Sequence, residues 1–225
     1  MSAKQPHLIL DENIYAFAPN RATLGGTSYF IVAKDQAKVG NLLIDAPAYN
    51  ADMLAFLQAH GGVRWWLITH RGATGQTKAL QAALDCTVVV QEQEAYLLPD
   101  TPNVVTYREQ YRIEDRVEVL WTPGHSPGSA CVYYAGAGGV LFTGRHLLPD
   151  HQGQLMPLRF SKTFHWPRQL QQIERLKARF SGETLAAICP GANTGFLRGK
   201  RVISDAYEQL QAIETAQLRE AVALL

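Results

Sequence analysis

Short runs of β-branched and aromatic residues, each closed by glycine, proline or asparagine, recur along nearly the whole chain and are interspersed with helical patterns. Such runs read as strands bounded by turns. They fall at 13–18 (NIYAFA), 27–33 (TSYFIVA), 41–45 (NLLID), 64–69 (RWWLIT), 87–90 (TVVV), 103–107, 115–121 (DRVEVLW), 129–134, 139–143 and 185–189 (LAAIC). Helical spacing predicts helices over 49–60, 76–84, 91–98 and 165–180, with Pro167 early in the last, where its missing N–H does no harm. Residues 202–225 read as one long amphipathic helix. A strand needs one face covered and a helix one stripe, and no linker divides the elements. The pattern therefore predicts an α+β chain folded as one domain over 1–225, a four-layer αββα sandwich with two sheets inside and helices outside.

Composition narrows the function classes. The 225 residues carry a formal net charge of +1, with 47% apolar and 18% charged residues, as in an ordinary globular protein. No basic excess points to nucleic acid. No apolar run approaches the roughly 20 residues that cross a bilayer. The opening MSAKQPHLILDENIY has neither a long apolar stretch nor a small-residue cleavage site, so no signal peptide is expected. Cys86, Cys131 and Cys189 are odd in number, far apart and set in apolar runs. They read as buried free thiols of a cytoplasmic protein.

Five motifs stand at the ends of predicted strands. They are NLLIDAP ending on Asp45, LITHRGATGQ (67–76), TPGHSPGS (122–129), LFTGRHL (141–147) and CPGAN (189–193). In this order and spacing they resemble the metallo-β-lactamase superfamily, and TPGHSPGS most resembles its glyoxalase II and lactonase branch. The resemblance covers nearly the whole chain. It implies the αββα fold and a hydrolase ancestry in which two metal ions activate water.

The resemblance also implies seven metal-ligand positions, and this chain fills two of them with histidine: His70 and His125. The other five positions hold Gly72, Thr74, Gly75, Arg145 and Ala192. Arg145 stands where the bridging aspartate belongs. A guanidinium stays protonated, so it opposes two divalent cations there. A tight zinc site needs three or four protein ligands, and two imidazoles fall short. No cofactor is therefore expected, with one weakly held zinc or iron ion as the alternative. His146, His151 or Cys189 would have to join His70 and His125 to rebuild such a site.

The remaining candidates have two readings each. Arg145 either pairs with Asp45 and plugs the cavity, or offers a fixed positive charge to a phosphate or carboxylate. Arg71 adds to that charge or points to solvent. Thr74 either caps the following helix or, with Gly72 and Gly75, opens backbone N–H groups to an anion. Asn193 contacts a ligand or caps a turn. Trp121 could wall the pocket, and the basic loop around Arg198, Lys200 and Arg201 reads as a solvated cluster. Together they predict a metal-free pseudoenzyme that binds a small anionic molecule or a protein partner. The alternative is an active ester, thioester or lactone hydrolase using a rebuilt single-metal site or histidine and arginine alone. A third reading uses the C-terminal apolar face for dimerisation.

Overall fold

A computed structural model describes residues 5–10 and 13–224. Parts of the N-terminal stretch read above, and the last residue of the predicted C-terminal helix, lie outside the described residues.

Two sheets face each other. The first has seven strands in sequence order: β1 (His7–Leu10), β2 (Ile14–Ala16), β3 (Tyr29–Ile31), β4 (Leu42–Ile44), β5 (Trp65–Leu67), β6 (Thr87–Gln91) and β7 (Val104–Tyr107). Its first four strands pair antiparallel, and β4 through β7 pair parallel. The second sheet contains β8 (Gln110–Ile113), β9 (Val117–Trp121), β10 (Ala130–Tyr134), β11 (Val140–Gly144) and β14 (Ala187–Pro190), in the order β14-β11-β10-β9-β8. Only β11 and β14 pair parallel there. A small hairpin, β12 (Leu148–Pro149) with β13 (Leu155–Met156), lies apart.

Alternation along the strands sorts the side chains into three cores. Ile14, Tyr29, Leu42, Ile44, Leu67, Val117, Val119, Val132, Phe142 and Cys189 fill the space between the sheets. Phe30, Leu43, Trp66, Val88 and Val90 point outward under helix α1 (Ala51–Ala59) and helix α2 (Thr77–Leu84), meeting Met53, Leu57 and Leu80. On the opposite side Cys131, Leu141 and Ile188 meet Leu170, Ile173 and Leu176 of helix α3 (Trp166–Arg179), and Ala206 and Leu210 of helix α4 (Ala206–Ala212). This is the expected αββα layering. Helix starts follow local chemistry: Asn50 accepts from Met53 N–H, and His165 accepts from Arg168 N–H.

The long C-terminal helix is a correction. Only Ala206–Ala212 is α-helical, and Ile213 is already extended. Beyond it the backbone carbonyls bond to side chains and to another segment. Lys177 donates to Ile213 O, Trp166 Nε1 to Leu218 O (2.8 Å) and Arg159 to Ala221 O (2.7 Å). Leu224 N–H donates to Arg159 O, and Ser161 N–H to Leu224 O. These contacts outweigh helical bonds that amphipathic spacing alone would favour. Ile203, Ala206, Leu210 and Ile213 pack on the chain's own second sheet, which is where the apolar face goes. Residues 91–98 form a 3-10 helix, Glu92–Leu97, in place of the expected α-helix. No helix among the described residues is long and apolar enough to cross a membrane.

The motif glycines are packing residues. A Cβ on Gly124, at φ +152°, would stand 2.4 Å from the backbone Cα of Gln169 in α3. Gly124→Ala should therefore force α3 off the TPGHSPGS loop, costing on the order of 2–4 kcal/mol. A lowered urea midpoint with an unchanged slope would show it, and a wild-type midpoint would refute the packing argument.

Candidate active site

Five motif ends converge because β4, β5, β9, β11 and β14 all terminate at one edge of the sandwich. Asp45 follows β4, His70 follows β5, His125 lies in the loop after β9, Arg145 follows β11 and Ala192 follows β14. Hydrogen bonds close this edge across the sheets. Ala130 N–H donates to Thr69 O (2.7 Å), Thr27 N–H to Gly191 O (2.8 Å) and Tyr29 Oη to Pro190 O (2.7 Å).

Asp45 sits at the base. It is buried and left-handed (φ 59°), a conformation that Asp tolerates better than most residues. Its carboxylate accepts the Thr69 N–H at 2.8 Å and the Thr69 hydroxyl at 2.8 Å. Thr69 Oγ1 also lies 2.9 Å from His70 Nδ1. The hydroxyl has one proton, and when Asp45 is ionised that proton goes to Asp45. Nδ1–H therefore donates to Thr69, and Nε2 carries the lone pair. Burial pushes the Asp45 carboxyl up to about 7, against the pull of the two Thr69 bonds and the Arg145 charge.

His70 is buried, and its Nε2 has no hydrogen-bond partner. The His125 ring lies edge-on to it, with centroids 5.3 Å apart, and the buried His125 Nδ1 is also unpartnered. Burial holds His70 well below the usual histidine range, followed by coulombic repulsion from His125, Arg145 and Arg71. Burial likewise pushes His125 down to about 4, with Arg145 and Arg71 adding to it. Both imidazoles are neutral near pH 7.

Arg145 fits neither sequence reading completely. It makes no ion pair with Asp45. Its Nη2 donates instead to the carbonyls of Leu24 (2.7 Å) and Thr23 (3.3 Å), while its buried Nε–H is unpartnered. Asp45 still counters part of the cost of burying it. Arg71 is exposed and donates to Lys162 O at 3.2 Å. Together Leu24, His70, Arg71, Gly72, Leu97, His125, Arg145, Phe160, Ser161 and Lys162 line a cleft of about 430 Å³. Three fixed cations and three large apolar side chains border the two histidines, and no Asp or Glu is among the lining residues.

Other candidates fall outside this cleft. Thr74 does not cap α2: it ends the 3-10 turn Arg71–Ala73, and Gln76 stands at the N-cap position without a side-chain bond. Gly75, at φ +54°, is pressed on Ala46, where a Cβ would come within 2.7 Å, so packing accounts for it. Asn193 donates to Pro149 O (3.2 Å) and lines a neighbouring hollow, which shares Leu24 and Arg145 with the cleft. Trp121 donates its indole N–H to Pro127 O inside the third motif and is not among the cleft's lining residues. Arg201 donates to Ala16 O, whereas Arg198 and Lys200 are exposed.

The rebuilt three-ligand site is a second correction. His146 is fully buried, with both ring nitrogens unpartnered, and burial pushes it down to about 3. His151 is exposed in a turn, and Cys189 faces the core between the sheets. Among the described residues no group of three or more His, Cys, Asp or Glu could hold a metal ion. The donor set here, two imidazoles beside an arginine, does not fit a metal centre.

Sequence reasoning passed over Thr69, Leu24, Leu97, Phe160, Lys162 and Glu94. Only Thr69 had a signal, standing next to the first motif histidine. Glu94 is buried, accepts Gly128 N–H at 3.0 Å, and anchors the TPGHSPGS loop. Burial pushes its carboxyl up, partly offset by Ser126, Gly128 and Arg71.

The family model of the metallo-β-lactamase superfamily matches residues 54–191, more than half of the chain. The chain belongs to the metallo-β-lactamase superfamily. No curated protein matches it at a significant level. Solved structures share its fold at low identity. A superfamily protein from the archaeon Sulfolobus tokodaii has a TM-score of 0.63 at 14% identity, covering 95% of this chain and 89% of that one. The metallo-β-lactamase SMB-1, bound to 2-mercaptoethanesulfonate, has a TM-score of 0.65 at 15% identity, covering 96% and 95%. TTHA1623, solved in a di-iron-bound form, has a TM-score of 0.60 at 23% identity, covering 76% and 88%.

Two substitutions test the base of the site. Thr69→Val keeps the shape but strips Asp45 and His70 of their shared hydroxyl. It should cost on the order of 2–3 kcal/mol in thermal or urea unfolding, while Thr69→Ser should cost much less. Equal losses for both would show that the hydroxyl is idle. Asp45 also sets a pH dependence. Its folded value is raised, so between about 4 and about 7 the folded state holds a proton that the unfolded state has lost. Its contribution to stability therefore falls as pH rises through that window, by up to about 4 kcal/mol. The stability difference between wild type and Asp45→Asn should track this fall, because the histidines titrate in both proteins and cancel. A difference flat from pH 4 to 7 would contradict the assignment.

Proposed function

We propose that this chain is a metal-free member of the superfamily whose cleft binds a small anionic molecule. One observation carries the reading: two neutral imidazoles are flanked by Arg71, Arg145 and Lys162, with no carboxylate among the residues lining the cleft. A pocket lined by one sign of charge and apolar walls concentrates the opposite charge. Its volume suits a small molecule. Arg145 supplies a permanent charge at the place of the family's bridging carboxylate, which disfavours divalent cations and favours an anion.

Protein purified without chelators should carry well under one equivalent of zinc, iron or manganese by elemental analysis. Acetate and inorganic phosphate should raise its melting temperature with the logarithm of their concentration once that exceeds Kd, and Arg145→Met should weaken that binding about tenfold, the loss of one charge-assisted hydrogen bond. A stoichiometric metal, or no anion effect at all, would overturn the reading.

A second reading rests on the Asp45–Thr69–His70 chain, which orients a histidine as a buried carboxylate does in metal-free hydrolases. On this reading His70 acts as general base and Arg145 stabilises a developing oxyanion. Hydrolysis of a thioester or lactone that persists in chelator and disappears in both His70→Ala and His125→Ala would favour it over simple binding.

A further inference from the structure

The hydrogen-bond polarity of the cleft restricts which anion it takes. His70 is 3% exposed, and its Nε2 is a bare acceptor with no partner. Its role is set from behind once Asp45 is ionised, as at pH 8, because the Thr69 hydroxyl then donates to Asp45 and must accept from His70 Nδ1–H. A buried acceptor left unpaired costs about 1–3 kcal/mol, so a ligand that presents a donor gains by that amount over one that does not. His70 lines the cleft. At Gly72, which lines the same cleft, a Cβ would stand 3.3 Å from both His70 Nε2 and Cδ2. A larger side chain at 72 would crowd that edge of the ring.

The other requirements lie beside it. Arg145 has an unpartnered Nε–H, but its Nη2 is engaged by the Leu24 and Thr23 carbonyls. That leaves donors for one small monoanionic group, with Arg71 and Lys162 at the rim. Leu24, Leu97 and Phe160 present apolar surface in the same cleft, next to His125. Leu24 is 76% exposed and gains cover only if something lies on it.

We infer that the cleft recognises an amphiphilic carboxylate with a hydroxyl or N–H donor next to the carboxylate. The carboxylate lies on Arg145, the donor on His70 Nε2, and an apolar arm of several carbons on Leu24, Leu97 and Phe160. This rests on the anion-binding reading and names the class of anion. An ether or a keto group in the donor's place brings lone pair against lone pair at Nε2.

The test is calorimetric titration of the full chain at pH 8 with 2-hydroxyhexanoate, 2-methoxyhexanoate, hexanoate and lactate. The hydroxy acid should bind about tenfold or more tightly than hexanoate and the methoxy ether, the worth of one satisfied buried acceptor. Lactate, without the arm, should bind more weakly still. Two variants locate the effect. Gly72→Val fills the space beside Nε2 and should erase the preference for the hydroxyl. Asp45→Asn can donate to Thr69, which reverses the chain of bonds and leaves His70 with Nε2–H. It should also lose that preference, and histidine nitrogen shifts in NMR should report the exchanged tautomer. Equal affinity for hydroxyhexanoate and hexanoate, with both weakened by Arg145→Met, would overturn this inference and leave the anion reading standing. A preference unchanged in both Gly72→Val and Asp45→Asn would also overturn it. No binding of any carboxylate would overturn both.

Discussion

Every polar group of Thr69 is engaged, and the edge that carries the candidate site depends on it. Its N–H and hydroxyl hold the two oxygens of Asp45, its carbonyl accepts Ala130 N–H from the second sheet, and its oxygen receives His70 Nδ1. One residue thus ties β4 to β5 and the first sheet to the second, and orients a histidine. Gly144 must be glycine for the same reason: at φ +51°, a Cβ there would lie 2.4 Å from Thr69 Oγ1. Of the family's ligand positions this arrangement contains only that of His70, so it holds together whatever occupies the cleft.

That explains why the motif scaffold persists where the ligands have changed. Gly124 packs on α3, Gly144 on Thr69, and Gly191 against the Gly144 carbonyl, where a Cβ would come within 2.7 Å. These glycines belong to the packing, and replacing them costs stability directly. Gly72 and Arg145, at two of the family's ligand positions, border the cleft. The Arg145 charge acts on both histidines. The histidines are then held neutral by burial and by neighbouring cations, and so present lone pairs to the cleft.

Arg145 shows how a charge can be both anchored and available. Its Nη2 is fixed by two carbonyls of the turn at residues 23–24, which sets the side chain in place, while its Nε–H is unpartnered. The same turn carries Leu24, which borders both the histidine cleft and the hollow beside Asn193. Charge and apolar wall are therefore mechanically linked.

Much of this was legible in the residues. Alternating runs placed the strands, and five motifs in order placed Asp45, His70, His125 and Arg145 at strand ends, since strand periodicity and turn chemistry are local properties. The polar strand β8 (QYRI) and the end of the last helix were not legible. The first is stabilised by pairing with β9, and the second is ended by bonds to Lys177, Trp166 and Arg159, all distant in sequence. The sequence by itself determined the fold and which ligand positions had been replaced. Only the tertiary structure decided that Arg145 bonds to the 23–24 turn rather than to Asp45, that His146 lies buried apart from the cleft, and that Leu24, Leu97, Phe160 and Lys162 wall it. Each of these depends on which distant loops meet, and no local pattern encodes that meeting.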